Sequence, residues 1–356
     1  MEVSVPGNDA GTRDVDKPDR LAILVVGLGS IGRRHARLIS ERNDVELLLC
    51  DLQPRFIDET CALLARPPAH SFDSFQTALA AKPAIVFVCT PSGRHASMAL
   101  AAIEAGCDVF VEKPICTTCD DARNVIAAAE HAGRILQVGY MLRFESGLIR
   151  VQALVAAGAV GEIVGGRTMI GTYVTLKNAR DVDRNQSAYS LLLDYTHEFD
   201  FLRWIFGDVQ SLTATAATLG RLELRPHPNV FQALLTMESG ALVQVHLDYI
   251  QHPQRRILEV YGDRGTIVYD LMSGTLSSLP ANEGESATIT EFGRLVERID
   301  DVYRAQLDHL LASCRDRTAP AVDGGAAFEA LRVVEAAISS IETRRHVELP
   351  TTTTVI

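Results

Sequence analysis

Residues 21–32 are Leu-Ala-Ile-Leu-Val-Val-Gly-Leu-Gly-Ser-Ile-Gly, an apolar run that ends in three closely spaced glycines. Leu21 to Gly27 is a run of Leu, Ile and Val too short for a helix, with the composition of a strand buried on both faces. It enters Gly27-x-Gly29-x-x-Gly32, after which Ile31, Ala36, Leu38 and Ile39 recur at helical spacing among Arg33, Arg34 and Arg37. A second apolar run, Val45 to Cys50, ends at Asp51, about 20 residues past Gly32. Strand, glycine turn, helix, strand and acid in this order are the context that a dinucleotide-binding fingerprint requires. Gly27 permits the tight turn, Gly29 leaves room for a pyrophosphate, and Gly32 lets helix and strand pack closely. Ser30 and Ile31 open the helix whose free N–H groups and positive dipole end suit the phosphates. The Asp51 carboxylate suits both ribose hydroxyls of NAD and repels a 2′-phosphate. NAD is therefore the expected cofactor, with NADP kept as the alternative because Arg55 is near. The plainer alternative is a tight strand–helix turn with no ligand.

Outward from this unit the alternation continues. Ala84 to Cys89 reads as a strand, followed by Thr90-Pro91-Ser92 and a helix from His95 to Ala105 that Gly106 stops. Asp108 to Val111 is the next strand and ends in Glu112-Lys113-Pro114; Thr118-x-x-Asp121 then caps a helix through His131, before a strand at Ile135 to Val138. Strands alternating with helices mean parallel units that bind ligands beyond the strand C-termini. Thr90, Pro91, His95, Glu112 and Lys113 fall on that edge and are the further expected cofactor-binding residues.

Past Arg143 the pattern changes. A helix is expected over Gly147 to Ala157. Phe231 to Met237 and the alternating Leu242 to Tyr249 then read as antiparallel strands, and Ile257 to Gly262 and Thr266 to Leu271 flank a hairpin turn at Asp263-Arg264-Gly265. Helices at Val302 to Cys314 and Gly325 to Thr343 close the chain. The expected fold is an α/β Rossmann domain over residues 21–143, preceded by a flexible tail over 1–20. An α+β domain with an open-faced, mostly antiparallel sheet follows over 144–356. That domain is expected to bind substrate and, with one sheet face lacking helices, to join copies into a homodimer or homotetramer.

The 356 residues are 47% hydrophobic and 22% charged, enough for roughly two folded domains and too apolar for general disorder. A net charge of −11 without a basic run argues against nucleic acid as a partner and against an anionic membrane surface. No apolar stretch approaches the ~18 residues that span a bilayer. The polar residues 1–20 do not read as a secretory signal. The seven Cys are an odd number scattered through apolar segments, which fits free thiols and a cytoplasmic location. Cys116-x-x-Cys119 has no second pair, and no metal is expected.

Lys113, at a strand end beside the expected cofactor, can hold a substrate oxygen as it gains negative charge; the plainer reading is a surface Lys paired with Glu112. In Leu191 to Gly207, Phe199, Leu202, Ile205 and Phe206 recur at helical spacing and Gly207 is a C-cap. Asp194 and His197, three apart, can share one face, where the Asp would orient the His as a general base. The plainer reading is an Asp N-cap beside a satisfied His. Arg143, Tyr173, Lys177 and Asp248 are candidates to face the cleft.

These residues resemble the Gfo/Idh/MocA oxidoreductases, the group of glucose–fructose oxidoreductase and inositol dehydrogenase. The resemblance runs from about Leu21 to Leu349. It is carried by Gly27 to Gly32, Thr90-Pro91-Ser92 with His95, Glu112-Lys113-Pro114, Gly139-Tyr140 with Arg143-Phe144, and Asp194 to His197. It implies NAD(P)-dependent oxidation or reduction at a hydroxyl carbon of a sugar or cyclitol. It also implies that Lys113 contacts the reacting hydroxyl, His197 is the acid/base and Asp194 its neighbour. Lys113, Arg143, Tyr173, Asp194 and His197 make up the expected substrate site. Two features depart from the family pattern. Asp194 and His197 are three rather than four apart, and a glycine-rich stretch is replaced by Ala188-Tyr189-Ser190. Alternatives that keep the fold are a non-catalytic NAD-binding sugar sensor and cofactor-assisted glycoside cleavage.

Overall fold

The computed structural model describes residues 20–173, 188–221, 227–282, 284 and 286–350. Lys177 and nearly all of the expected tail lie outside them. Leu21–Val26 (β1) is an inner strand of a six-stranded parallel sheet. It lies between Val45–Cys50 (β2) and Ile85–Val88 (β4), with His70–Phe72 (β3) beyond β2 and Asp108–Val111 (β5) and Leu136–Val138 (β6) beyond β4. Successive β1 side chains point to opposite faces, and both faces are dry. Ile23 and Val25 join Phe87 and Phe110 on one side, while Leu24 and Val26 join Val86 and Val109 on the other. Helix Ser30–Ser40 (α1) follows the glycine turn, His95–Glu104 (α4) follows β4, and Cys119–His131 (α5) follows β5. The Thr118 hydroxyl accepts from the Asp121 N–H as its spacing predicts.

Helix Pro54–Cys61 (α2), β3 and helix Phe75–Ala80 (α3) were not anticipated. Each is eight residues or fewer, too short for periodicity to emerge, and β3 is an edge strand with no buried residue.

Helix Ser146–Ala156 (α6) leads into Ile163–Gly171 (β7), the first strand of a nine-stranded sheet. Two short helices come next, Ser190–Asp194 (α7) and Thr196–Phe206 (α8). The remaining strands are Val209–Ala217 (β8), Val230–Met237 (β9), Leu242–Asp248 (β10), Arg255–Gly262 (β11), Gly265–Asp270 (β12), Thr275–Pro280 (β13) and Thr288–Glu291 (β14), with Val347–Glu348 (β15) at the far edge. The β7–β10 pairing is parallel and the other pairings described in this sheet are antiparallel. Gly262 pairs with Gly265 across Asp263-Arg264, the expected hairpin. On β10, Val243, Val245 and Leu247 point into the core, while Leu242 and, on β9, Leu234 stay 50% and 44% exposed on the opposite face.

The last two helices, Leu295–Asp316 (α9) and Gly324–Thr343 (α10), divide their allegiance. α10 packs on β8 and α8 on one side and on α5 of the first half on the other. α9 returns to the first sheet, where Leu307, Leu310 and Leu311, spaced as one helix face, fill the cluster around Phe87 and Phe110. Beyond it, the Val322 carbonyl accepts from Val138 N–H at the β6 edge. The boundary expected at residue 143 places α9 in the α+β domain, whereas its apolar face covers the first sheet. No described helix is long and apolar enough to cross a membrane.

Candidate active site

The cofactor edge is shaped by backbone. Gly27 has φ +86°, and a Cβ there would lie 2.8 Å from the Cys89 and Thr90 backbone. A Cβ on Gly32 would lie 1.8 Å from the Gly27 carbonyl oxygen. Gly29, by contrast, faces open space, the room a pyrophosphate needs beside the first turn of α1 at Ser30 and Ile31. Asp51 Oδ2 accepts from Leu28 N–H at 2.7 Å and Oδ1 from Gln53 N–H at 2.8 Å. Each oxygen keeps a lone pair for a ribose hydroxyl. Arg55 lies 4.6 Å over the Phe56 ring, and Arg33 pairs with Glu59. The donors and the space fit NAD.

Thr90 and Pro91 lie at the end of β4, with the Thr90 Oγ1 buried and unpartnered among the described residues. His95 and Glu112 depart from expectation. His95 is 1% exposed, and its Nδ1 and Nε2 lie 2.7 and 2.8 Å from the carbonyls of Pro114 and Thr90. Glu112 Oε1 is 2.8 Å from Nε2 of the buried His35, and Oε2 accepts from Lys113 N–H at 3.1 Å. Both side chains are used inside the loops, so toward a cofactor these two residues offer backbone only.

Lys113 reaches the second half of the chain: its Nζ donates to the Asp194 carbonyl at the end of α7. His197 lies in the first turn of α8, its ring edge-on to Tyr140 with centroids 5.6 Å apart. Burial, then the positive charges of Lys113 and Arg256, hold its pKa well below the usual 6.5. The imidazole is neutral, and its buried Nδ1 has no hydrogen-bond partner among the described residues. A neutral, dry imidazole beside a lysine ammonium can accept a proton while the ammonium holds an oxygen.

Asp194 does not hold His197. Its Oδ2 accepts from the Tyr249 hydroxyl at 2.6 Å. The expected continuous helix breaks at Tyr195 (φ −107°, ψ 30°), so Asp194 ends one helix and His197 begins the next. Tyr195, not Asp194, holds the N-cap position, while Gly207 terminates α8 as expected. Arg143 is also redirected. Its guanidinium donates to the buried Asp200 carboxylate at 2.8 and 2.9 Å and to the Asp200 carbonyl at 3.3 Å, and lies 5.0 Å from the Trp204 ring, both residues of α8. Tyr173 meets the His252 ring at a tilt, with centroids 4.9 Å apart. Asp248 accepts from Ile250 N–H and Gln251 N–H and pairs with His246. Both serve the loop after β10.

Tyr249, His35 and the buried pair of Glu198 with Arg256, 2.8 and 3.1 Å, are not among the residues expected from the sequence. Tyr249 did leave a signal: it is the one hydroxyl in the inward row Val243, Val245, Leu247, Tyr249. Cys116 and Cys119 are buried thiols. Among the described residues, no group of three or more His, Cys, Asp or Glu is placed to hold a metal ion.

Known proteins share this two-part architecture. A family model for an oxidoreductase family with an NAD-binding Rossmann fold matches residues 21–140, and one for its C-terminal alpha/beta domain matches residues 152–349. An inositol 2-dehydrogenase of Paracoccus denitrificans is 32% identical over 53% of this chain and 55% of that enzyme's length. A myo-inositol 2-dehydrogenase of Thermotoga maritima is 26% identical over 92% of this chain and 98% of that enzyme. A crystal structure of an Agrobacterium radiobacter oxidoreductase, in complex with NAD+, L-tartaric acid and magnesium, superposes with a TM-score of 0.83. It is 20% identical and covers 92% of this chain and 98% of that one, which speaks to the shared fold. The glycine turn with its acidic partner, the lysine that reaches across to the second sheet's helices, and matches over both halves lead to one conclusion: the chain belongs to the Gfo/Idh/MocA family of NAD-dependent oxidoreductases.

Proposed function

We propose that this protein interconverts a secondary alcohol and a ketone on a sugar, sugar derivative or cyclitol, with the reacting oxygen held between Lys113 and His197. The activity class is NAD-dependent sugar or cyclitol oxidoreduction, in keeping with relatives named as inositol dehydrogenases. The observation that carries the site assignment is the bond from Lys113 Nζ to the Asp194 carbonyl. It brings the lysine of the cofactor edge to the helix break that precedes His197.

NAD, when bound, supplies the hydride acceptor for oxidation. His197 accepts the hydroxyl proton, and Lys113 donates to the oxygen and offsets its developing charge. Asp194, held by Tyr249, fixes the carbonyl on which Lys113 rests. In reduction, protonated His197 returns the proton. Gly27, Gly29, Ser30, Ile31 and Gly32 hold the pyrophosphate in this proposal, and Asp51 the adenosine ribose. Thr90 and Pro91 line the approach to the nicotinamide, with the backbone of His95, Glu112 and Lys113. A cofactor part over 21–143, completed by α9, and a substrate part over the rest of 144–356 belong to the same reading. So do a cytoplasmic location, supported by the free thiols, and a homodimer or homotetramer formed through the open sheet face.

The test is a panel of sugars and cyclitols with NAD and with NADP, followed by nicotinamide absorbance. A substrate turned over with NAD by the unaltered protein, but not by His197→Ala or Lys113→Met, is the expected result. Full turnover by either variant overturns the site assignment. Cleavage of a glycoside without net NADH would move the reading to transient oxidation.

A further inference from the structure

Lys113 has a buried histidine on each side. Glu112, the residue before it, is held by His35 of α1 through the 2.8 Å contact to Oε1. Pro114, the residue after it, has its carbonyl 2.7 Å from His95 Nδ1 of α4. Both imidazoles are sealed, at 2% and 1% exposure. His35 lies among Phe87, Phe110 and Tyr303, with ring centroids 5.1–5.3 Å away. Neither imidazole can swing away without leaving a buried carboxylate or carbonyl unsatisfied, which is costly. Glu112 Oε2 in turn accepts the N–H of Lys113 itself. The other nitrogen of His95 lies 2.8 Å from the Thr90 carbonyl just past β4. Burial lowers the pKa of this ring, and a neutral imidazole has one N–H, here assigned to Pro114.

We propose that His35 and His95 are positioning residues that clamp the Glu112-Lys113-Pro114 backbone from both flanks and so set where the Lys113 ammonium sits. The clamp joins the helix that follows the glycine turn, α1, to the lysine, and His95 joins α4 to the same triplet. Cofactor edge and lysine are thereby built as one rigid piece. The inference rests on the reading of Lys113 as the oxygen-holding group, and its test is chosen to be independent of any substrate.

Side-chain geometry allows the two contacts of His95 to be separated. An asparagine amide nitrogen occupies the place of Nδ1, and a glutamine amide nitrogen that of Nε2. His95→Asn therefore keeps a donor for Pro114 and gives up Thr90, whereas His95→Gln keeps Thr90 and gives up Pro114. For His35, whose Nε2 makes the contact, His35→Gln is the conservative change and His35→Leu the disruptive one. Two quantities are measured on the whole protein. One is the rate of acetylation of Lys113 relative to exposed Lys82, read by peptide mass spectrometry. The other is NADH affinity, read by fluorescence titration.

His95→Gln and His35→Leu are expected to raise the Lys113-to-Lys82 labelling ratio about fivefold, the scale of one neutral hydrogen bond, and to leave NADH affinity within about twofold. His95→Asn, which keeps the donor for Pro114, and His35→Gln are both expected to leave the ratio and NADH affinity near their original values. A ratio that stays constant across all four variants, or that moves only in step with NADH affinity and the unfolding midpoint, overturns the clamp. Should the His95 variants fail to fold, the His35 pair alone decides. Failure of the Lys113 reading shows elsewhere, as undiminished turnover by Lys113→Met.

Discussion

The two sides of the cleft are held together by different means. On the cofactor side the decisive features are backbone: a glycine at φ +86°, a carbonyl that a Cβ on Gly32 would strike, and N–H groups that grip Asp51. On the side proposed for substrate they are buried charges and hydroxyls drawn from distant strands. Arg143 meets Asp200, Arg256 meets Glu198, and Tyr249 meets Asp194. A backbone-built site is fixed by local sequence and suits a ligand that never changes. A side-chain-built site can be altered one residue at a time while the scaffold stands.

The comparison predicts that chemistry and cofactor binding separate cleanly. His197→Ala should lower kcat by roughly 10²–10⁴-fold with NADH affinity unchanged, since His197 belongs to the side-chain-built half. Lys113→Ala should cost at least as much. The double variant should be far less than additive, because both groups act on one oxygen. Single-turnover measurements of hydride transfer check this.

Breaking a buried pair should cost stability instead. Arg143→Met leaves Asp200 charged and enclosed, which typically costs about 3–5 kcal/mol. Burial already raises the Asp200 pKa, so the loss should shrink as acid protonates the carboxyl. Denaturant unfolding at two pH values measures both. If Arg143→Met instead lowers turnover and leaves stability intact, Arg143 belongs to the cleft after all.

Cofactor choice should respond more gently. Asp51→Ser should narrow the preference for NAD over NADP by about tenfold, the worth of one charge-assisted contact. Titration with both reduced cofactors reads it. Association through the open sheet face should weaken on Leu234→Lys or Leu242→Lys, with light scattering showing smaller particles and the circular dichroism unchanged.

The smallest effect concerns pH. The folded pKa of His197 lies below its unfolded value near 6.5, chiefly through burial and then through Lys113 and Arg256. As pH falls, the unfolded chain therefore takes up this proton first. The stability contribution is whole above that value and fades below it. The acid limb of kcat/KM should likewise sit below the ordinary histidine range, and in the inactive Lys113→Met the titration of His197, followed by NMR, should move upward.

The same contrast explains what the sequence revealed. Gly27 to Gly32, Asp51, the Thr118 cap and the Asp263-Arg264 hairpin were legible because each is a short pattern whose cause lies within it. The Tyr249–Asp194 bond and the Arg143–Asp200 pair join residues more than fifty positions apart, and no local pattern encodes them. Asp194 and His197 look like one helical face until Tyr195 breaks the helix. His95 and Glu112 were rightly put at the strand ends, but spacing does not say which way a side chain turns.

Leu307, Leu310 and Leu311 fill the side of the first sheet that carries Phe87 and Phe110, although they follow its last strand, at Val138, by about 170 residues. During synthesis at 5–20 residues per second, that apolar surface waits roughly ten to thirty seconds for its cover. The nucleotide-binding half is therefore not a cassette that can be cut at residue 143 and moved. Exchanging halves between relatives would carry a joint at each end of the second sheet, with α9 kept alongside the strands it covers.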